Sequence, residues 1–166
     1  VFVVSAYLAA YQAKAFGVGD YIAQFMFNSP PGLSDAMDLA KMLAILEMIE
    51  PLASNDFRIW KQTRTGLLSY PLDLAAARAH LAASIYVQMA IKPDIIHIVG
   101  HTEADHAATA EDIIESAKMA QRAIGNALKG QPNMTVDPAI QERKNLLVQE
   151  ARFTLNTIRS LAGRGI

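Results

Sequence analysis

The chain contains no cysteine, which excludes disulfides, thiol nucleophiles and thiolate metal ligands. It also lacks an excess of either charge. Fifteen Lys and Arg stand against 16 Asp and Glu, for a net charge of −1. Acids and bases are mixed along the chain, so the basic clustering that nucleic-acid binding requires is missing. No unbroken apolar run of about 18 residues occurs, and no membrane span is expected. No basic leader precedes the apolar start, so no signal peptide is expected either. The sequence opens on Val1 instead of Met and reads as a trimmed chain or a gene fragment. Absence of cysteine fits a reducing compartment, and the cytoplasm is the expected location.

What is present is apolar surface and a period. Hydrophobic residues make up 52% of 166 positions, enough for a sizeable core, and one domain is expected over residues 1–166. Three segments have strand character: 21–27 (YIAQFMF), 57–61 (FRIWK) and 94–99 (DIIHIV). Their starts lie 36 and 37 residues apart. Each precedes a polar or Gly/Pro loop and then a long segment of helical period. Spacing this regular is a repeat signal, and strands alternating with helices imply crossovers and a parallel sheet.

The helical pattern predicts five helices, beginning with 3–16 before the first strand. Over 33–49, Met37, Ala40, Leu43, Ala44, Leu46 and Ile49 fall near one stripe, and Pro51 lies just past the end. The segment 72–91 is rich in Ala and Leu and is closed by Pro93. The segment 109–129 opens on Thr109 and Asp112 at capping-box spacing and stops at Gly130. The last helix, 138–161, has no strand before it. The linker-like loop 130–136 is too short to divide domains. Two architectures suit this order, an open doubly wound sheet and a closed barrel. No G-x-G-x-x-G follows a strand, and the small residues of 72–91 permit close helix–strand approach. The expectation is therefore an α/β fold, a partial TIM (β/α)8 barrel of three parallel βα units plus flanking helices. Three strands cannot close a barrel, so an edge must be completed from outside or left exposed.

In parallel βα folds, functional groups gather just after the strand C-termini. The loops 28–32, 62–66 and 100–106 qualify, and they bring Arg64, His101, Glu103, Asp105 and His106 to one mouth. Arg64 is either a planar fork for a carboxylate or phosphate, or a solvated or ion-paired loop residue. Glu103 is either solvated or an acceptor for sugar or substrate hydroxyls. His101, Asp105 and His106 are metal-ligand types at His-x4-His spacing. They stand on a loop with no evident third ligand, so no metal is assigned and capping or supporting roles are read instead. His97, within an apolar strand, either points into a barrel interior or, as the preferred reading, is a hydrogen-bonded core histidine. His80 reads as structural, Trp60 as packing, and Met37, Met42 and Met48 as core filling.

Two stretches carry a resemblance. DIIHIVGHTEADH at 94–106, continuing through AATAEDIIES, resembles the last strand and loop of the barrel in adenosylcobalamin-dependent amino-acid mutases. YIAQFMFNSPPG and SDAMDLAKML, followed by Q-x-R-x-G at Gln62, Arg64 and Gly66, resemble the units before it. The likeness is to the large-subunit family of ornithine 4,5-aminomutase and, more distantly, to the epsilon subunit of glutamate mutase. It covers nearly the whole chain but only the last third to half of such barrels. The resemblance implies an isomerase that uses adenosylcobalamin, with pyridoxal phosphate carrying the migrating amine. It implies substrate binding by Arg64 and Gln62, and cofactor binding by Glu103 and His101. Glu103 corresponds to the glutamate on the adenosyl ribose, and Arg64 to the arginine on the substrate carboxylate. The D-x-H-x-x-G motif of cobalamin domains is absent, and no lysine has a recognisable pyridoxal context. The implied partners are the rest of the barrel and a cobalamin-binding domain or subunit, without which the chain is expected to be inactive. The alternative is a non-catalytic α/β module that self-associates as a homo-oligomer.

Overall fold

Alternating burial defines the sheet. In β1 (Asp20–Phe27), Ala23, Phe25 and Phe27 are buried while Ile22 and Gln24 are exposed. Successive strand side chains point to opposite faces, so one face of β1 is packed and the other is open. The computed structural model describes residues 1–162 and places β1 beside β2 (Arg58–Thr65), with β3 (Ile95–His97) beyond it, in the order β1-β2-β3. Both pairings are parallel. The register runs from Asp20↔Arg58 to Phe27↔Thr65, then from Gln62↔Ile95 to Arg64↔His97. Phe25, Thr63 and Ile96 thus share one face, and Met26, Arg64 and His97 the other.

Five α-helices accompany this sheet among the described residues: α1 (Phe2–Ala15), α2 (Asp35–Ile49), α3 (Leu74–Gln88), α4 (Ala110–Leu128) and α5 (Pro138–Ala162). Their starts are written in the sequence. Ser34 Oγ accepts from the Met37 amide, Asp73 Oδ1 from the Ala76 amide, and Thr109 with Asp112 forms the reciprocal capping box. Phe25 and Phe27 pack with Leu39, Met42, Ile45 and Ile49 of α2, backed by α1 and α5. Leu81 and Ile85 of α3 pack with Ala120 and Ala123 of α4 and with Ile96 of β3. Each crossover steps to the next strand in the same direction, which sets α2 and α3 over one face.

The expected parallel units are present, with shifted limits. β2 runs to Thr65, not Lys61, because its ladder with β1 continues to Phe27 and its β-branched Thr63 and Thr65 are buried on the helix face. Gln62 and Arg64 therefore stand on a strand and not in a loop. β3 is shorter than residues 94–99, since its ladder reaches only Gln62, Thr63 and Arg64. By length and composition, Leu74–Ile91 could cross a membrane, although no such run was expected. Here it packs on β2 and α4, and it carries Arg78 in an ion pair.

Candidate functional site

The strand ends are knotted together by polar side chains. After β1, Asn28 takes a left-handed conformation (φ 55°), and its amide donates to the buried Asp38 carboxylate. Asp38 pairs with Lys41 at 2.6 Å, and Lys41 Nζ also donates to the carbonyls of Met26 and Ser29. Burial pushes the Asp38 carboxyl up despite the opposing pull of Lys41 and the Asn28 amide. The Asn28 side chain joins a buried network, accepting from Ser84 Oγ at 2.6 Å. Ser84 accepts from Thr65 Oγ1, and Gln88 donates to both hydroxyls. At Gly66 the backbones of the first two units touch. Its amide donates to Phe27 O at 2.8 Å, and a Cβ there would lie 3.1 Å from the carbonyl oxygens of Phe27 and Asn28. That close approach explains the glycine of Q-x-R-x-G.

The third unit is tied on by Tyr70, whose hydroxyl donates to Val99 O at 2.9 Å. Burial pushes this phenol up to about 12. Thr65 and Arg64 oppose that rise and Glu103 adds to it, so Arg64 and Glu103 both act on the Tyr70 phenol. Arg64 lies near the end of β2 and Glu103 follows β3, and because the two strands run parallel both residues stand at one end of the sheet. Arg64 is half-buried on the open face between Met26 and His97, and its Nε is enclosed without a hydrogen-bond partner among the described residues. Gln62 lies one layer further in, between Gln24 and Ile95. Glu103 is exposed; Oε1 accepts from the Gly100 amide, and Oε2 bonds to none of the described residues.

Other residues fall elsewhere. His101 shares the Glu103 loop, yet its ring is buried against α4, with Nδ1 2.9 Å from Ser116 Oγ. His97 is exposed on the open face instead of being a core histidine, because it alternates away from Ile96 and the helices. His80 is structural as expected: Ser69 Oγ lies 2.7 Å from Nε2 and the ring packs edge-on to Tyr70. Trp60 is 39% exposed, and its Nε1 donates to Asp20 Oδ1. Asp105 holds the His106 imidazole above its usual range, with Asp112 helping. Sequence reading missed Tyr70, the Asp38–Lys41 pair and Glu115. The charges of Asp38-x-x-Lys41 inside an apolar helix stripe were the available signal for the pair.

Comparison with known proteins finds no matching family model and no matching curated protein.

Proposed function

We propose that this chain is the C-terminal part of the barrel of an adenosylcobalamin-dependent amino-acid mutase, a cytoplasmic isomerase that moves an amino group between adjacent carbons. The observation that carries this reading is topological: Arg64 near the end of β2 and Glu103 on the loop after β3 leave the same end of a parallel sheet, beside a face that none of the described helices covers. In a closed barrel the face opposite the helices is the interior. That face here includes Gln24, Met26, Gln62, Arg64 and His97.

The residues fit the adenosyl group in one respect. Glu103 keeps a carboxylate oxygen clear of the protein, pointing from a loop held by its own Gly100 amide, and a vicinal ribose diol needs such an acceptor. The guanidinium of Arg64 would take the substrate carboxylate, and the Gln62 amide would orient the chain behind it. Adenosylcobalamin, held above the mouth by another domain or subunit, supplies the radical chemistry. His101 does not fit a direct cofactor contact, since its ring is enclosed, and it holds the loop instead. Pyridoxal phosphate also finds no anchor at this mouth. Lys41 is committed to Asp38 and two carbonyls, and Lys61 Nζ to Ile91 O. Its place would be on another part of the barrel.

The exposed apolar side chains of Ile22, Trp60 and Ile95 favour a second reading, a non-catalytic module that covers this face with another copy of itself. The two separate by titrating 5′-deoxyadenosine and ornithine at millimolar concentration into the labelled chain. The mutase reading expects amide shifts in loop 100–106 that vanish in Glu103→Ala, and shifts around Arg64 that vanish in Arg64→Ala. Absence of both overturns it. Turnover of ornithine by this chain and adenosylcobalamin alone would refute the fragment.

A further inference from the structure

We infer that His101, Asp112 and Glu115 form a binding site for a divalent transition cation of the zinc type. His101 is the decisive group. Its side chain is 0% exposed, and Nε2 has no hydrogen-bond partner among the described residues. That nitrogen faces Glu115 Oε2 at 3.5 Å, too long for a well-formed bond. A buried ring nitrogen left without a partner is uncommon, and a missing ion is one of its ordinary explanations.

Three features make the group a ligand set. Asp112 and Glu115 are three residues apart on α4, so both carboxylates rise from one helix face over the His101 ring. One donor atom from each of the three residues lies within 4.8 Å of the others. Tetrahedral zinc holds its ligands about 3.3 Å apart at bond lengths near 2.0–2.1 Å, so the set closes by small shifts of Asp112, whose Oδ2 caps Thr109, and of Glu115, which Arg78 holds. The supporting contacts are also in place. Ser116 Oγ engages Nδ1 at 2.9 Å and accepts from the His101 amide, which fixes the ring and leaves Nε2 as the free nitrogen. Arg78 grips Glu115 from outside, at 2.8 and 3.0 Å, and orients that carboxylate. An imidazole with two carboxylates selects against magnesium and calcium, which take oxygen alone.

The ligands span the strand-end loop and α4, so a bound ion would pin the loop that carries Glu103, two residues after His101. The site stands on these side chains whatever the mouth binds, and its test uses no substrate or adenosyl ligand. The full chain is titrated with zinc, and with cobalt(II) as a visible-absorption reporter. One ion per chain is expected, together with the absorption of a low-coordinate cobalt centre. His101→Ala and Glu115→Gln should each weaken zinc binding more than about 100-fold, while His106→Ala leaves it within about threefold. Glu115→Gln, a partly exposed position, keeps the test open if the His101 variant fails to fold. No zinc binding at micromolar concentration overturns the site. So does binding that survives Glu115→Gln or is lost in His106→Ala, since that would assign the ion to the exposed Asp105–His106 pair.

Discussion

Tyr70 donates its hydroxyl to the Val99 carbonyl at 2.9 Å, and both groups are buried, so the chain after β2 holds the chain leaving β3. Removing the donor leaves an unpaired carbonyl, and Tyr70→Phe should cost about 1–3 kcal/mol by urea denaturation. The phenol also gives a pH signature. It is pushed up to about 12 by burial, against 10.0 without the fold. The stabilisation is complete below about pH 10, where both states keep the proton, and is lost as pH rises from there through about 12. Linkage sets the loss at about 3 kcal/mol. Tyr70→Phe should flatten most of that slope. A smaller slope of the same sign should persist from half-buried Tyr21, whose phenol burial also pushes up.

Thr63 and Thr65 are both buried on β2, two residues apart on one face, and they should respond oppositely to valine. Thr63 Oγ1 has no partner among the described residues, whereas Thr65 Oγ1 donates to Ser84 and accepts from Gln88. Thr63→Val removes an unsatisfied hydroxyl and should be neutral or stabilising by up to about 1 kcal/mol. Thr65→Val takes one donor from Ser84 and one acceptor from Gln88, which keep each other, and should cost about 1–3 kcal/mol. Thermal unfolding of the two variants gives the comparison.

The period of the sequence carried the parallel units, because burial on a βα unit is periodic and capping residues mark each start. Thr109 with Asp112 is the clearest case. The end of β2 was not legible. Gln62, Thr63, Arg64 and Thr65 read as polar loop residues, and only pairing with the apolar Phe25, Met26 and Phe27 of β1 makes them strand. The site was partly legible for the same reason. Parallel strand ends lie at one side of the sheet, which places Arg64 and Glu103 at the same end. The enclosure of His101 depends instead on Ser116 and Glu115 of the following helix, and the loop sequence does not encode it.

Lys41 and Asp38 form an ion pair whose side chains are only 9% and 1% exposed, so neither charge has water to fall back on. Lys41→Met removes the cation and leaves the carboxylate buried. Stability should fall by about 3–5 kcal/mol at neutral pH. Burial already raises the Asp38 carboxyl, and losing Lys41 raises it further. The unfolded carboxyl then ionises before the folded one, so the deficit should shrink as pH falls toward 3.8, the unperturbed value. Asp38→Asn combined with Lys41→Met should recover part of the loss, because the amide carries no charge.

Trp60 is the single tryptophan, and it stands with Ile22 on the face that the helices leave open. Their exposures are 39% and 51%, and Ile95 across β2 adds 39%. Apolar area left in water forfeits roughly 25 cal/mol per Å². The parallel edges β1 and β3 also offer unpaired backbone groups. The isolated chain should therefore self-associate through this face as its concentration rises. Sedimentation should give a dimer or larger species, and Trp60 emission should shift to shorter wavelength in step with it. Ile22→Asp should return the chain to monomer and keep the emission at long wavelength. Its own stability should stay within about 0.5 kcal/mol, because the side chain is exposed in the single chain. A monomer with unchanged Trp60 emission at all concentrations would remove self-association through this face.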